Sequence, residues 1–149
     1  MSADTGTRAA RQRTRHRARQ AAVQMLYQRE VGQQDLEEVL RTFWVANMPG
    51  AEGAPESVRA FAEELVRSTV GALDKIDGLI AETAEHWRLS RIAALDRIIL
   101  RLAIGEFLNG ATPRNVVINE ALELAKTFSG EESAKFVNGI LDAVKKKLH

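Results

Sequence analysis

Apolar residues in this chain recur at steps of three and four, and no stretch alternates with a strand's period of two, which predicts helices throughout. Ala18, Ala21, Ala22, Met25 and Leu26 form one stripe of a first helix over about residues 12–31, which Gly32 ends. Asp35 with Glu38 three residues on reads as a capping box for a second helix facing inward through Leu36, Val39, Leu40 and Phe43. The Pro/Gly-rich stretch Met48–Pro55 is a surface loop. A third helix packs Val58, Phe61, Ala62, Leu65, Val66 and Val70. Asp74 is placed as the cap of a fourth, which turns Ile76, Leu79, Ile80 and Trp87 inward. The fifth, from about Ser90 to Leu108, is apolar on so many sides that it should lie at the centre of the fold. Asn109-Gly110 stops it, a sixth helix runs from about Val116 to Phe128, and Ser129-Gly130 ends that one. The seventh opens on Glu131 and Glu132, buries Phe136, Val137, Ile140, Leu141 and Val144, and closes on Lys145, Lys146 and Lys147, charges that suit the two ends of its dipole.

The fold class is therefore all-α, a compact seven-helix bundle with a basic, partly disordered N-terminal arm. Its 149 residues are enough for one domain with a substantial core, divided here into an arm over 1–14 and a folded core over 15–149. No apolar run approaches the roughly 20 residues that span a bilayer, so no membrane partner is expected. There is no cysteine, which excludes disulfides and thiolate metal sites and fits a reducing, cytoplasmic setting.

Charge changes the picture once it is located. The chain's net charge is only +1, yet Arg8, Arg11, Arg13, Arg15, Arg17 and Arg19 fall together with no acid among them, and without those six the rest carries five net negative charges. A concentrated cationic arm on a mildly acidic body points to a polyanion. An Arg-rich, acid-poor N-terminus also occurs in organelle transit peptides, but this one runs straight into a core-forming helix. Arginine is suited to phosphate forks and base stacking, and no bulky apolar anchors interleave for a membrane surface. Arg11, Arg15 and Arg19 form a stripe, and Arg15 falls within the apolar face of the first helix. Because a buried unpaired guanidinium is costly, the helix is expected to overhang the globule there and project the arm into solvent.

Catalysis has no visible seat. His16, His86 and His149 are isolated, and no phosphate loop, dinucleotide fingerprint or nucleophile elbow is present. No cofactor and no metal are expected. Asp96 with Arg97 and Arg101 reads as a helix-borne charge network.

Four segments resemble one family closely: Arg17–Gln28 (RARQAAVQMLYQ), Trp87–Ala103 (WRLSRIAALDRIILRLA), Val116–Lys126 (VVINEALELAK) and Lys135–Asp142 (KFVNGILD). They are similar to the bacterial transcription antitermination factors of the NusB family, over nearly the whole chain. The resemblance implies a seven-helix fold, binding to a single-stranded boxA element of ribosomal-RNA transcripts, and a partner, the small-subunit ribosomal protein NusE, with which RNA polymerase reads through terminators. It implies that the arginine arm (Arg11, Arg13, Arg15, His16, Arg17 and Arg19) meets RNA, and that Gln24, Tyr27, Glu132, Ser133, Lys135 and Phe136 extend that surface. Tyr27 and Glu106 would face NusE. Tyr27 and Phe136 each also fit a core position, and Asn119, Glu120 and Asn138 read as structural. Two departures from the family pattern are Gly105, in mid-helix where relatives tend to carry a larger side chain, and the residues before Arg11, which extend beyond the resemblance. A non-catalytic protein-interaction or ribosome-biogenesis module acting mainly through NusE is the alternative reading, and a free homodimer that masks the arm is compatible with the sequence.

Overall fold

The computed structural model describes residues 2–47, 54–84 and 89–148, with side chains from Thr7 onward. Among the described residues there are seven α-helices, one 3-10 turn and no strand: α1 Ser2–Glu30, α2 Leu36–Asn47, α3 Glu56–Gly71, α4 Leu73–Thr83, the turn Leu89–Arg91, α5 Ala94–Asn109, α6 Arg114–Phe128 and α7 Glu131–Lys147. The all-helical class and the count of seven are as the periodicity predicts. Trp87, His86, His149 and most of the Met48–Pro55 loop lie outside the described residues. The chain divides into two compact units, residues 1–64 and 65–149, with the division inside α3.

In the first unit α1 begins at Ser2, where the apolar pattern started it near residue 12. The apolar stripe ends near Ala18, so periodicity gives no signal upstream. Alanine, arginine and glutamine nevertheless favour helix, and they fill every position from 8 to 13. Ala18, Ala21, Ala22, Val23, Met25 and Leu26 are buried on this helix, and Val39, Leu40, Phe43 and Trp44 on α2. The Phe43 and Trp44 rings meet edge to face, centroids 5.1 Å apart. Asp35 caps α2 as expected, its Oδ2 accepting the Glu37 N–H at 3.2 Å.

The second unit is built around α5, which packs against α4, α6 and α7. Ile98, Ile99, Leu100 and every residue from Leu102 to Phe107 are buried. Its start differs from the sequence expectation: the helix opens at Ala94, and Leu89–Arg91 before it forms a 3-10 turn. Arg97 explains the late start, because its Nη1 donates to the carbonyls of Ile92 at 2.9 Å and Leu89 at 3.4 Å, groups that a longer helix would have satisfied itself. Arg101 reaches across to α4 and forks onto Asp77, Nε to Oδ1 at 2.8 Å and Nη2 to Oδ2 at 3.0 Å, so the charges on α5 tie two helices together. Asp74 is not the cap of α4. That position is Ala72, with no side-chain hydrogen bond, and Asp74 sits in the first turn, where its charge suits the dipole.

Helix ends close the unit. Gly110 ends α5 in the left-handed conformation (φ 76°), its N–H bonding the Glu106 carbonyl. Arg114, at the start of α6, donates from Nη1 to the Leu148 carbonyl at 2.7 Å and so covers the C-terminal end of α7. Beside it Lys145 Nζ donates to Asn115 Oδ1 at 3.0 Å.

Gly105 has a packing reason. A Cβ there would stand 3.0 Å from Thr69 Oγ1 and 3.5 Å from Thr69 Cα, so the missing side chain lets α3 and α5 approach. Thr69 is buried, and its hydroxyl is held by donating to the Leu65 carbonyl at 2.7 Å. Gly105→Ala gains about 1 kcal/mol of helix propensity but overpacks a pinned neighbour, at a cost of about 1–3 kcal/mol. Urea melts are expected to show a net loss near 1 kcal/mol, and the same substitution in a Thr69→Ala background should stabilise. An equal loss in both backgrounds would show that Thr69 is not the obstacle.

Candidate nucleic-acid interface

On α1 the helical repeat sorts the arginines into two sets. Arg13, Arg17, Gln20, Gln24, Tyr27 and, just past the helix, Val31 follow at alternating steps of four and three, which puts them on one line along the helix. Solvent reaches all of them: Gln20 is half-buried and the others are exposed, Tyr27 at 40% and Val31 at 47%. The line thus runs from guanidiniums through amides to a phenol ring. Arg13 and Arg17 present donor forks suited to phosphate, Gln24 offers both a donor and an acceptor, and Tyr27 has a face on which a base can stack.

The other set, Arg11, Arg15 and Arg19, shares the phase of the apolar stripe. Arg11 is exposed, Arg15 is half-buried, and Arg19 is only 2% exposed, the bulkiest of the fully buried side chains. The expectation that the core face ends near Ala18 and frees this stripe for solvent is therefore corrected at Arg15 and Arg19. Their guanidinium carbons lie over one ring, that of Phe61 in the first half of α3, at 4.9 Å and 5.4 Å from its centroid. This cation–π arrangement helps to accommodate arginine on an apolar face. Phe61 was missed as a site residue because its spacing reads as plain core. The signal was the apolar-face arginines themselves, which required an aromatic or acidic neighbour. His16, in contact with other groups of the fold, is half-buried.

In the second unit, Glu132 and Lys135 at the start of α7 are exposed, and Ser133 and Phe136 are half-buried. Lys135 Nζ stands 3.9 Å from Glu132 Oε1, an ion pair in full solvent that adds little and leaves both side chains able to move. Phe136 is partly accessible while Val137 beside it is fully buried. Glu106, expected to face NusE, is 7% exposed and makes its contacts inside the fold. Among the described residues no group of three or more His, Cys, Asp or Glu could hold a metal ion, and no helix is long and apolar enough to cross a membrane.

The sequence model of the NusB family matches residues 16–146. The chain belongs to the NusB family. Transcription antitermination protein NusB of Koribacter versatilis (strain Ellin345) is 45% identical to it over 136 residues, 91% of this chain and 90% of that one. The protein of the same name from Solibacter usitatus (strain Ellin6076) is 44% identical over 135 residues, covering 91% and 90%. Among solved structures, T. maritima NusB superposes with a TM-score of 0.78 at 36% identity, covering 89% of this chain and 91% of that one. A crystal structure of antitermination factors NusB and NusE in complex with double-stranded RNA gives a TM-score of 0.79 at 26% identity, covering 91% and 98%. The NusB match begins at His16, so Arg8, Arg11, Arg13 and Arg15 precede it.

The two sets of arginines should separate in stability measurements. Arg19→Ala removes a buried side chain from its ring and is expected to cost about 1–3 kcal/mol, whereas Arg13→Ala and Arg17→Ala should stay within about 0.5 kcal/mol of the parent. Equal unfolding midpoints for all three variants would contradict the sorting.

Proposed function

We propose that this NusB-family chain is a non-catalytic, cytoplasmic, RNA-binding antitermination factor that takes single-stranded boxA-type RNA together with NusE and acts on RNA polymerase in ribosomal-RNA operons. The observation that carries the RNA reading is the exposed line Arg13–Arg17–Gln24–Tyr27 on α1, phosphate-binding chemistry at one end and a stacking ring at the other. Family membership supports the antitermination role, and the similar NusB chain in complex with NusE and RNA supports both partners. Arg11, exposed on another face of the same helix, adds to the charge of the segment, and Lys135 and the half-buried Phe136 offer a cation and a ring on α7. Tyr27 is the NusE-facing candidate that solvent reaches. Glu106, being buried, would act there only by shaping α5.

Fluorescence anisotropy with a labelled boxA RNA and a scrambled control, across a salt series, tests the reading. Binding to boxA should be preferred and should weaken with salt, the log–log slope changing by about 0.7 for each phosphate contact. Arg13→Ala with Arg17→Ala should weaken binding by about tenfold and flatten the slope by about 1.4, the share of two phosphates. NusE should tighten the wild-type complex, because two surfaces on one strand raise the effective concentration. A double variant with parental affinity and slope would refute the role of the line, and RNA binding absent in every condition would favour a module that acts through NusE alone.

A further inference from the structure

We propose that Phe61 is a positioning residue for RNA binding, a platform that holds the Arg15 guanidinium, with Arg19 beneath it, in the orientation that receives a phosphate. This rests on the RNA-binding reading above and adds a residue that is neither charged nor part of the arginine segment. Arg15 and Arg19 are one turn apart on α1, and two cations so placed repel each other. Both nonetheless converge on one ring, at 4.9 Å and 5.4 Å from its centroid. The negative face of the ring offsets part of that repulsion and fixes two long side chains that would otherwise sample many rotamers.

The two arginines then have different jobs. Arg19, 2% exposed, is the inner member, and an RNA strand cannot reach it without rearrangement. Arg15 is half-buried. Stacking occupies the flat face of a guanidinium, while its N–H donors lie in the plane and point outward, so a stacked arginine keeps the fork that binds phosphate. A fork held in place before RNA arrives loses less entropy on binding. Phe61 is itself half-buried, so its ring is part of the surface around Arg15 and not sealed inside the core.

The test uses the full chain and the labelled boxA RNA. Phe61→Leu keeps apolar bulk and removes the π face; Phe61→Tyr restores the face. The expected result is a three- to tenfold loss of affinity for Phe61→Leu, within the range of a partly desolvated cation–π contact, with near-parental affinity for Phe61→Tyr. In an Arg15→Ala background, Phe61→Leu should cause no further loss. In the RNA-free protein the Arg15 and Arg19 Nε–H resonances should move with Phe61→Leu, as the ring current is removed, while circular dichroism stays parental. Parental RNA affinity for Phe61→Leu would overturn the proposal, as would equal losses for the Leu and Tyr variants or a loss that persists without Arg15. A wild-type chain that binds no RNA would instead overturn the functional reading and the RNA role of the ring with it.

Discussion

A helix buried on nearly every side must be covered on nearly every side, and in residues 65–149 the rest of the architecture follows from that one requirement. The sequence of α5 from Ile98 to Phe107 leaves only Arg101 partly open to solvent. Helices α4, α6 and α7 supply the cover, and the C-terminal part of α3 comes close enough at Thr69 to need Gly105. Two arginines near this core are paired: Arg101 forks onto Asp77, and Arg97 donates to the Ile92 carbonyl, whereas Asp96 at the start of the same helix is buried with its Oδ1 lacking a hydrogen-bond partner. What looked like a local departure from the family pattern at Gly105 is a consequence of how tightly the central helix is enclosed.

Residues 1–64 solve a different problem, how to carry six arginines on a helix that must also bury an apolar face. Helical phase divides them. Arg13 and Arg17 fall on the outward line with Gln24 and Tyr27, where charge costs nothing and is available to a partner. Arg15 and Arg19 fall on the inward face, where both guanidiniums meet the ring of Phe61. A ring carries no net charge, so this contact leaves the positive potential of the segment in place, and the packing and the binding chemistry are compatible.

The helices were legible because each carries its apolar residues at the α-helical period, and the end signals at Gly110, Gly130 and Asp35 are local chemistry. The start of α1 was harder to read, since a solvated helix of arginine and alanine has no apolar stripe to announce it. The start of α5 depends on a side chain, Arg97, that competes for backbone carbonyls, which no pattern of hydrophobicity records. In the candidate interface, the exposed members Arg13, Arg17 and Gln24 could be named from charge and resemblance, and the structure resolves Tyr27 toward solvent. The burial of Arg19 and Glu106 could not be read in the same way. Both depend on what lies opposite in space, and the ring that accepts Arg19 sits forty-two residues further along the chain.

The outward line on α1 also makes the segment a device that depends on angle. Each residue turns an α-helix by about 100°, so a single insertion or deletion between Ala18 and Gln24 would rotate everything upstream by that amount relative to the anchored apolar stripe. Arg13 and Arg17 would swing away from the line of Gln24 and Tyr27, and a different pair of side chains would meet Phe61. Composition and net charge would hardly change. Substitutions at the exposed positions of this helix can therefore be absorbed one at a time, whereas its length between ring and phenol is held to whole turns.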